Sequence, residues 1–153
     1  MFTKKDRGTF KYWFAHWCAY QMTALNLGCW KPRFLLHDIK KPWQMLLYRN
    51  YKTVQQMHRD HARHHLTYWA NRDFDDSAFE RLDFLGMVID WECSRFTKQE
   101  APMNARETLA VMVQNLKDGK YNGWVGCYSI EPYPTQIQEF ETRISNILKD
   151  LGL

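Results

Sequence analysis

The chain has 153 residues and a mass of 18.5 kDa, which fits one domain around one core, so residues 1–153 are read as a single unit. Hydrophobic residues make up 45% and charged residues 25%. That balance is typical of a soluble globular chain and excludes a disordered or collagen-like one. No apolar run approaches the roughly 20 residues that cross a bilayer, and no apolar leader follows the polar segment 1–8. The expected location is the cytoplasm, with no membrane partner.

Charge is unevenly distributed. Residues 1–65 carry 12 basic and 3 acidic side chains, while residues 66–153 carry 9 and 14. All six histidines, at 16, 37, 58, 61, 64 and 65, lie in the basic part. A basic, histidine-rich half suits an anionic ligand such as a phosphate or a nucleic acid. The four cysteines, at 18, 29, 93 and 127, form no CxxC pair and read as free thiols.

The chain reads as helices throughout. Phe10 to Leu27 is densely apolar with a polar stripe, and Gly28 is a natural stop. Pro32 opens a second helix through Arg33–Asp38, and Pro42 opens a third segment, Trp43 to Tyr51. Thr53 to Trp69 lacks Gly and Pro and predicts one continuous helix. Asn71 to Asp76 is a polar loop. Ser77 and Glu80 then form a capping box for a helix to about Phe96. Asn104 and Glu107 cap a helix to about Lys117. Residues 118–134, rich in Gly and Pro, predict a long loop with a short hairpin near 124–130, and Thr135 caps a last helix to about Leu151. The fold class is therefore all-α, a compact bundle of about six helices.

Within this frame, imidazoles and carboxylates recur on successive helices: His16, then His37-Asp38, then the cluster His58 to His65, then Asp90. These are the side chains that bind first-row divalent metals. On one continuous helix His61 and His65 share a face, with His58 a turn earlier and His64 turned away. Asp90 follows the apolar run Phe84–Ile89, where a carboxylate needs a partner or a metal. Adjacent His37 and Asp38 point about 100° apart on a helix, so both reach one ion only if the backbone bends there.

The order His … His-Asp … Asp resembles the signature of the HD-domain metal-dependent phosphohydrolases. The segment His37-Asp38-Ile39-Lys40-Lys41-Pro42 looks like their HDIGKP form, with Lys40 in place of the Gly. His64-His65 with Tyr68-Trp69, followed by Asp83–Trp91 and Arg95, is similar to a small phage- and bacteria-associated branch of that superfamily. The resemblance covers about residues 10–115. It implies a compact HD-like helical bundle with one or two divalent ions, of Mn, Zn, Co, Ni, Mg or Fe. His16, His37, Asp38 and Asp90 would bind them, with His61 and either His64 or His65 completing a second site. It further implies a metal-activated water attacking phosphorus. Lys41, with Arg63 or Arg95, would neutralise the phosphate oxygens, and Glu92 or Asp60 would accept or deliver a proton.

The expected partner is a phosphorylated small molecule or nucleotide. Two rival readings accompany it: a non-catalytic module binding a nucleotide, nucleic acid or protein, and a di-iron oxygenase on the same scaffold. The aromatic content, 7 Trp, 8 Tyr and 9 Phe, allows base stacking or a homodimer interface as well as core packing.

Overall fold

The computed structural model describes residues 8–48, 50–69, 73–99, 102–120 and 134–153. These form seven α-helices, α1 (Phe10–Asn26), α2 (Lys41–Tyr48), α3 (Tyr51–His61), α4 (Leu66–Trp69), α5 (Ala78–Thr97), α6 (Ala105–Lys117) and α7 (Pro134–Asp150), with a 3₁₀ turn at Pro32–Leu36 and no strand. The all-α expectation holds. The hairpin expected near 124–130, and Cys127, lie outside the described residues, whereas Cys18, Cys29 and Cys93 are free thiols.

Helix α5 is the spine, because it is apolar on nearly every side. Phe84, Met87, Val88 and Trp91 join Leu109 and Val113 of α6 and Phe140, Ile144 and Leu148 of α7 in the larger core. Ile89 and Cys93 meet Tyr20 and Ala24 of α1, with Phe34, in a smaller one. Each such large side chain contributes about 1.5–3 kcal/mol on burial, so α5 is fixed from both sides. The C-terminal helix, which the sequence resemblance left unexplained, supplies five buried residues to the larger core.

Local chemistry sets most helix ends. Thr9 Oγ1 accepts from the Tyr12 amide at the start of α1, and Gly28, at φ 65°, takes the left-handed stop that a Cβ would disfavour. Asn104 and Glu107 form a reciprocal capping box on α6. At α5 only half of the expected box forms. Ser77 Oγ accepts from the Glu80 amide, but the buried Glu80 carboxylate turns to the Asp75 amide and to Arg143 of α7.

Two expectations are corrected. Residues 33–38 do not form an α-helix: the 3₁₀ turn ends at Leu36, and Asp38 takes a left-handed φ of 57°. Thr53–Trp69 is not one helix either. The ladder stops at His61, Ala62 is extended, and residues 63–65 turn before α4 begins. No Gly or Pro marks this break. Tertiary bonds favour it instead: Arg63 reaches Asp83 on α5, and the Trp69 indole donates to the Arg63 carbonyl at 2.6 Å. Helix α2 buries none of its residues and leaves Trp43, Leu46 and Leu47 mostly exposed.

Candidate metal centre

The histidines and carboxylates gather where α1, α5 and the segment between them converge. Helix α1 holds the His37-Asp38 segment by its main chain. Trp13 Nε1 donates to the Asp38 carbonyl at 3.0 Å, Trp17 Nε1 to Leu35 at 3.2 Å and Gln21 Nε2 to Phe34 at 2.8 Å. These bonds occupy carbonyls that an α-helix would have used itself, and so permit the bend. Asp is among the few residues that tolerate the left-handed region, so the bend at Asp38 is sterically allowed. It turns two adjacent side chains inward together: His37 Nε2 lies 3.7 Å from Asp38 Oδ2.

Around this pair the other residues assemble. His16 Nε2 of α1 lies 2.8 Å from Asp90 Oδ1 of α5, and His37 Nε2 is 3.8 Å from the same oxygen. The break after α3 swings the histidine cluster onto Asp38. His58 Nε2 stands 2.6 Å and His64 Nε2 3.4 Å from Asp38 Oδ1. Three overlapping donor groups result: Asp38, His58, His64 and His65; His16, His37 and Asp38; and His16, Asp90 and Cys93, the atoms within each lying within 4.8 Å of one another. Asp38 belongs to two of them. The Tyr20 ring stacks on His37 at 3.7 Å between centroids and fixes its plane.

The decisive feature is what these atoms lack. His37 Nε2, His64 Nε2 and His65 Nε2 are buried without a hydrogen bond, and the buried His58 Nε2 and Asp38 Oδ1 face each other at 2.6 Å. A buried polar atom without a partner costs about 1–3 kcal/mol, and a cation among these atoms would satisfy them together. Protonation states agree. Burial drives His37 and His65 well below the usual imidazole value, and burial with the nearby Lys41 ammonium lowers His58 to about 4. Burial pushes Asp38 up, but the adjacent Lys41 ammonium and the close His58 imidazole hold the carboxyl well below its ordinary range. Burial also opposes ionisation of Asp90, and its bond to His16 more than offsets it. An ionised carboxylate beside imidazoles that burial keeps from protonating is a ligating combination.

Of the residues expected as ligands, His16, His37, Asp38, His65 and Asp90 come together. His61 does not. It is exposed at the end of α3, with Nδ1 2.9 Å from the Met57 carbonyl, and His58 and His64 stand inside the cluster. The geometry behind choosing His61 fails because α3 stops there. Lys41 is near the cluster, but its Nζ is 2.5 Å from Asp38 Oδ2, so it pairs with a candidate ligand. Glu92 and Arg95 are elsewhere. Glu92 lies two residues, some 200° of helix, beyond Asp90, and it faces α6. There its Oε2 accepts from the Ala105 amide at 2.9 Å and its Oε1 pairs with Arg95 Nε at 3.0 Å. Neither reaches the histidines, and the side chain of Asp60 lies outside the described residues.

A cavity of about 280 Å³ opens onto the cluster, reaching the rings of His37 and His64, with Tyr20 and Gly86 also lining it. A Cβ at Gly86 would stand 3.2 Å from the Tyr20 hydroxyl, so a larger residue there would press on the ring that stacks on His37. Arg33 and Arg63 wall the same cavity, and both bond Asp83. The sequence reading missed Arg33, and it had Asp83 as the first residue of the Asp83–Trp91 segment without a role. A larger cleft of about 610 Å³ between α5 and α7 contains none of the clustered residues.

No family model, curated protein or solved structure matches this chain. Among the described residues, no helix is long and apolar enough to cross a membrane.

Proposed function

We propose that this chain is a metal-dependent phosphohydrolase of the HD type, acting on a phosphate ester. The observation that carries the reading is the group of buried Nε2 and carboxylate oxygen atoms around Asp38. His16, His37, Asp38 and Asp90 would hold one ion, and His58, His64 and His65 with the second oxygen of Asp38 would hold another. The set holds five imidazoles and two carboxylates, which suits Zn, Mn, Fe, Co or Ni over Mg or Ca, whose preferred ligands are oxygen. A divalent ion in such a site supplies Lewis acidity, acidifying water and polarising a phosphoryl oxygen.

The chain's own residues have distinct tasks. Tyr20 and the Asp38 carboxylate fix the imidazole planes, so the donors are ordered before a ligand arrives. Lys41, with its Nζ 2.5 Å from Asp38 Oδ2, would hold that carboxylate ionised for the ion and add positive charge at the edge of the cluster. Water oxygen bonds to phosphorus, the bond from phosphorus to the ester oxygen breaks, and that oxygen leaves with its electron pair and takes a proton to become an alcohol. The cavity against His37 and His64 receives the ester.

The test is a phosphomonoesterase screen on protein loaded with each of these ions, beside His37→Ala and Asp38→Ala. Turnover that needs the ion and vanishes in both variants supports the reading. Metal loading without turnover favours a binding module on the same scaffold. Iron, with oxygen-dependent oxidation, favours an oxygenase.

A further inference from the structure

Resting on that reading, we propose that Arg33, Arg63 and Asp83 form a second anion subsite, and that the substrate carries two anionic groups. One is the phosphate at the histidine end, and the other is a phosphate or carboxylate held by the arginines.

Three separate elements bring the subsite together: Arg33 from the 3₁₀ turn, Arg63 from the break after α3 and Asp83 from α5. Asp83 is buried and takes one guanidinium on each oxygen. Two guanidiniums on one carboxylate leave one positive charge on the trio, faced from the outer cleft by the exposed Asp75 carboxylate. Both arginine side chains stay about two-fifths exposed, at 40% and 38%. Arg63 is held rigidly. Its Nε bonds Asp83, its Nη1 bonds the Tyr68 hydroxyl at 3.3 Å, and its plane lies 5.1 Å from the Trp69 ring. An arginine pinned through some donors presents the rest in a fixed fork, which is how planar recognition of phosphate or carboxylate is built.

Placement separates this subsite from the reacting end. The cavity that reaches His37 and His64 has the two arginines in its wall. A second cleft, of about 560 Å³, shares Arg33 and Arg63 and continues to Asp75, Ser77 and Phe79, with no clustered residue in it. The arginines therefore stand between the histidines and the outer cleft. A molecule with one anionic group at the histidines and a second at the guanidiniums would use both walls of this cavity.

The test compares pentyl phosphate with pentane-1,5-diyl bisphosphate, and with 6-phosphonooxyhexanoate as the carboxylate counterpart. Binding is measured by calorimetry on wild-type protein of known metal content, then on Arg33→Gln and Arg63→Gln. The expected result is at least tenfold tighter binding of one or both dianchored probes than of pentyl phosphate, with that advantage lost in either variant at unchanged metal content. Preference between the two dianchored probes tells phosphate from carboxylate. Equal binding of all three probes to wild-type protein, or an advantage that survives both substitutions, overturns the proposal. The wild-type comparison stands even if a variant does not fold. Absence of metal in wild-type protein counts against the proposed function, whereas equal binding to metal-loaded protein counts against the second subsite alone.

Discussion

Asp38 Oδ1 and His58 Nε2 lie 2.6 Å apart in a buried site. A proton on the imidazole or a cation beside the pair holds two such atoms at that distance. The same oxygen also faces His64 Nε2 at 3.4 Å, so the relationship is with a cluster and not with one neighbour.

Metal should therefore stabilise the fold measurably. An ion at about one hundred times its dissociation constant contributes about 2.7 kcal/mol. For a chain of this size that is a rise in Tm of roughly 5–10 °C. Thermal unfolding of chelator-treated and reloaded protein checks this, and identical melting curves would count against the site.

The cluster should discriminate between two histidines one turn apart. His58→Ala should lose at least one bound ion or weaken its affinity tenfold or more, while His61→Ala should retain wild-type content. The reason is position: His58 is inside the cluster and His61 bonds the Met57 carbonyl at the surface. Metal titration of both variants reads the difference. Equal loss in the two would restore His61 as a ligand.

Metal-free protein should lose stability on mild acidification. His58 titrates near 4 when folded, against about 6.5 when unfolded, and His37 and His65 are lowered as well. The unfolded chain thus binds more protons over that interval, and stability falls as pH drops from about 6.5 towards 4, by about 3 kcal/mol from His58 alone. Asp38 and Asp90, whose carboxyls are depressed, add a further loss as pH falls below about 4. Denaturant titrations at pH 7, 6 and 5 measure the slope. A free energy that stays level across them would contradict these protonation states.

Glu92→Gln should damage the fold and spare the site. Its carboxylate accepts from the Ala105 amide at the start of α6 and pairs with Arg95, so its loss costs about 1–3 kcal/mol. Metal content should not change. A variant of wild-type stability with lost metal would put Glu92 back among the functional residues.

How much of this was legible in the sequence varies by residue. Asp90 was legible because a carboxylate after an apolar run must have a partner, and His16, His37 and Asp38 through the order of imidazoles and carboxylates that resembles the HD pattern. The bend at Asp38 was legible only as a requirement. What produces it is long-range: the Trp13, Trp17 and Gln21 side chains donate to the carbonyls of Asp38, Leu35 and Phe34. The break at Ala62 had no local signal at all, since no Gly or Pro lies between Thr53 and Trp69. It follows from Arg63 reaching Asp83, a contact between residues 20 apart in sequence. That turn brings His64 and His65 to the cluster beside His58, which α3 itself presents there, while His61 at the end of α3 bonds the Met57 carbonyl. Glu92 and Arg95 were chosen by nearness to Asp90 in sequence, which on a helix is poor evidence of a shared face.

The account stands or falls on whether the cluster holds an ion, and elemental analysis of purified, tag-free protein measures that directly. One or two equivalents per chain of zinc, manganese, iron, cobalt or nickel, lost together in Asp38→Ala, is the predicted result. A chain that carries no metal as purified and takes up none on reconstitution would contradict it.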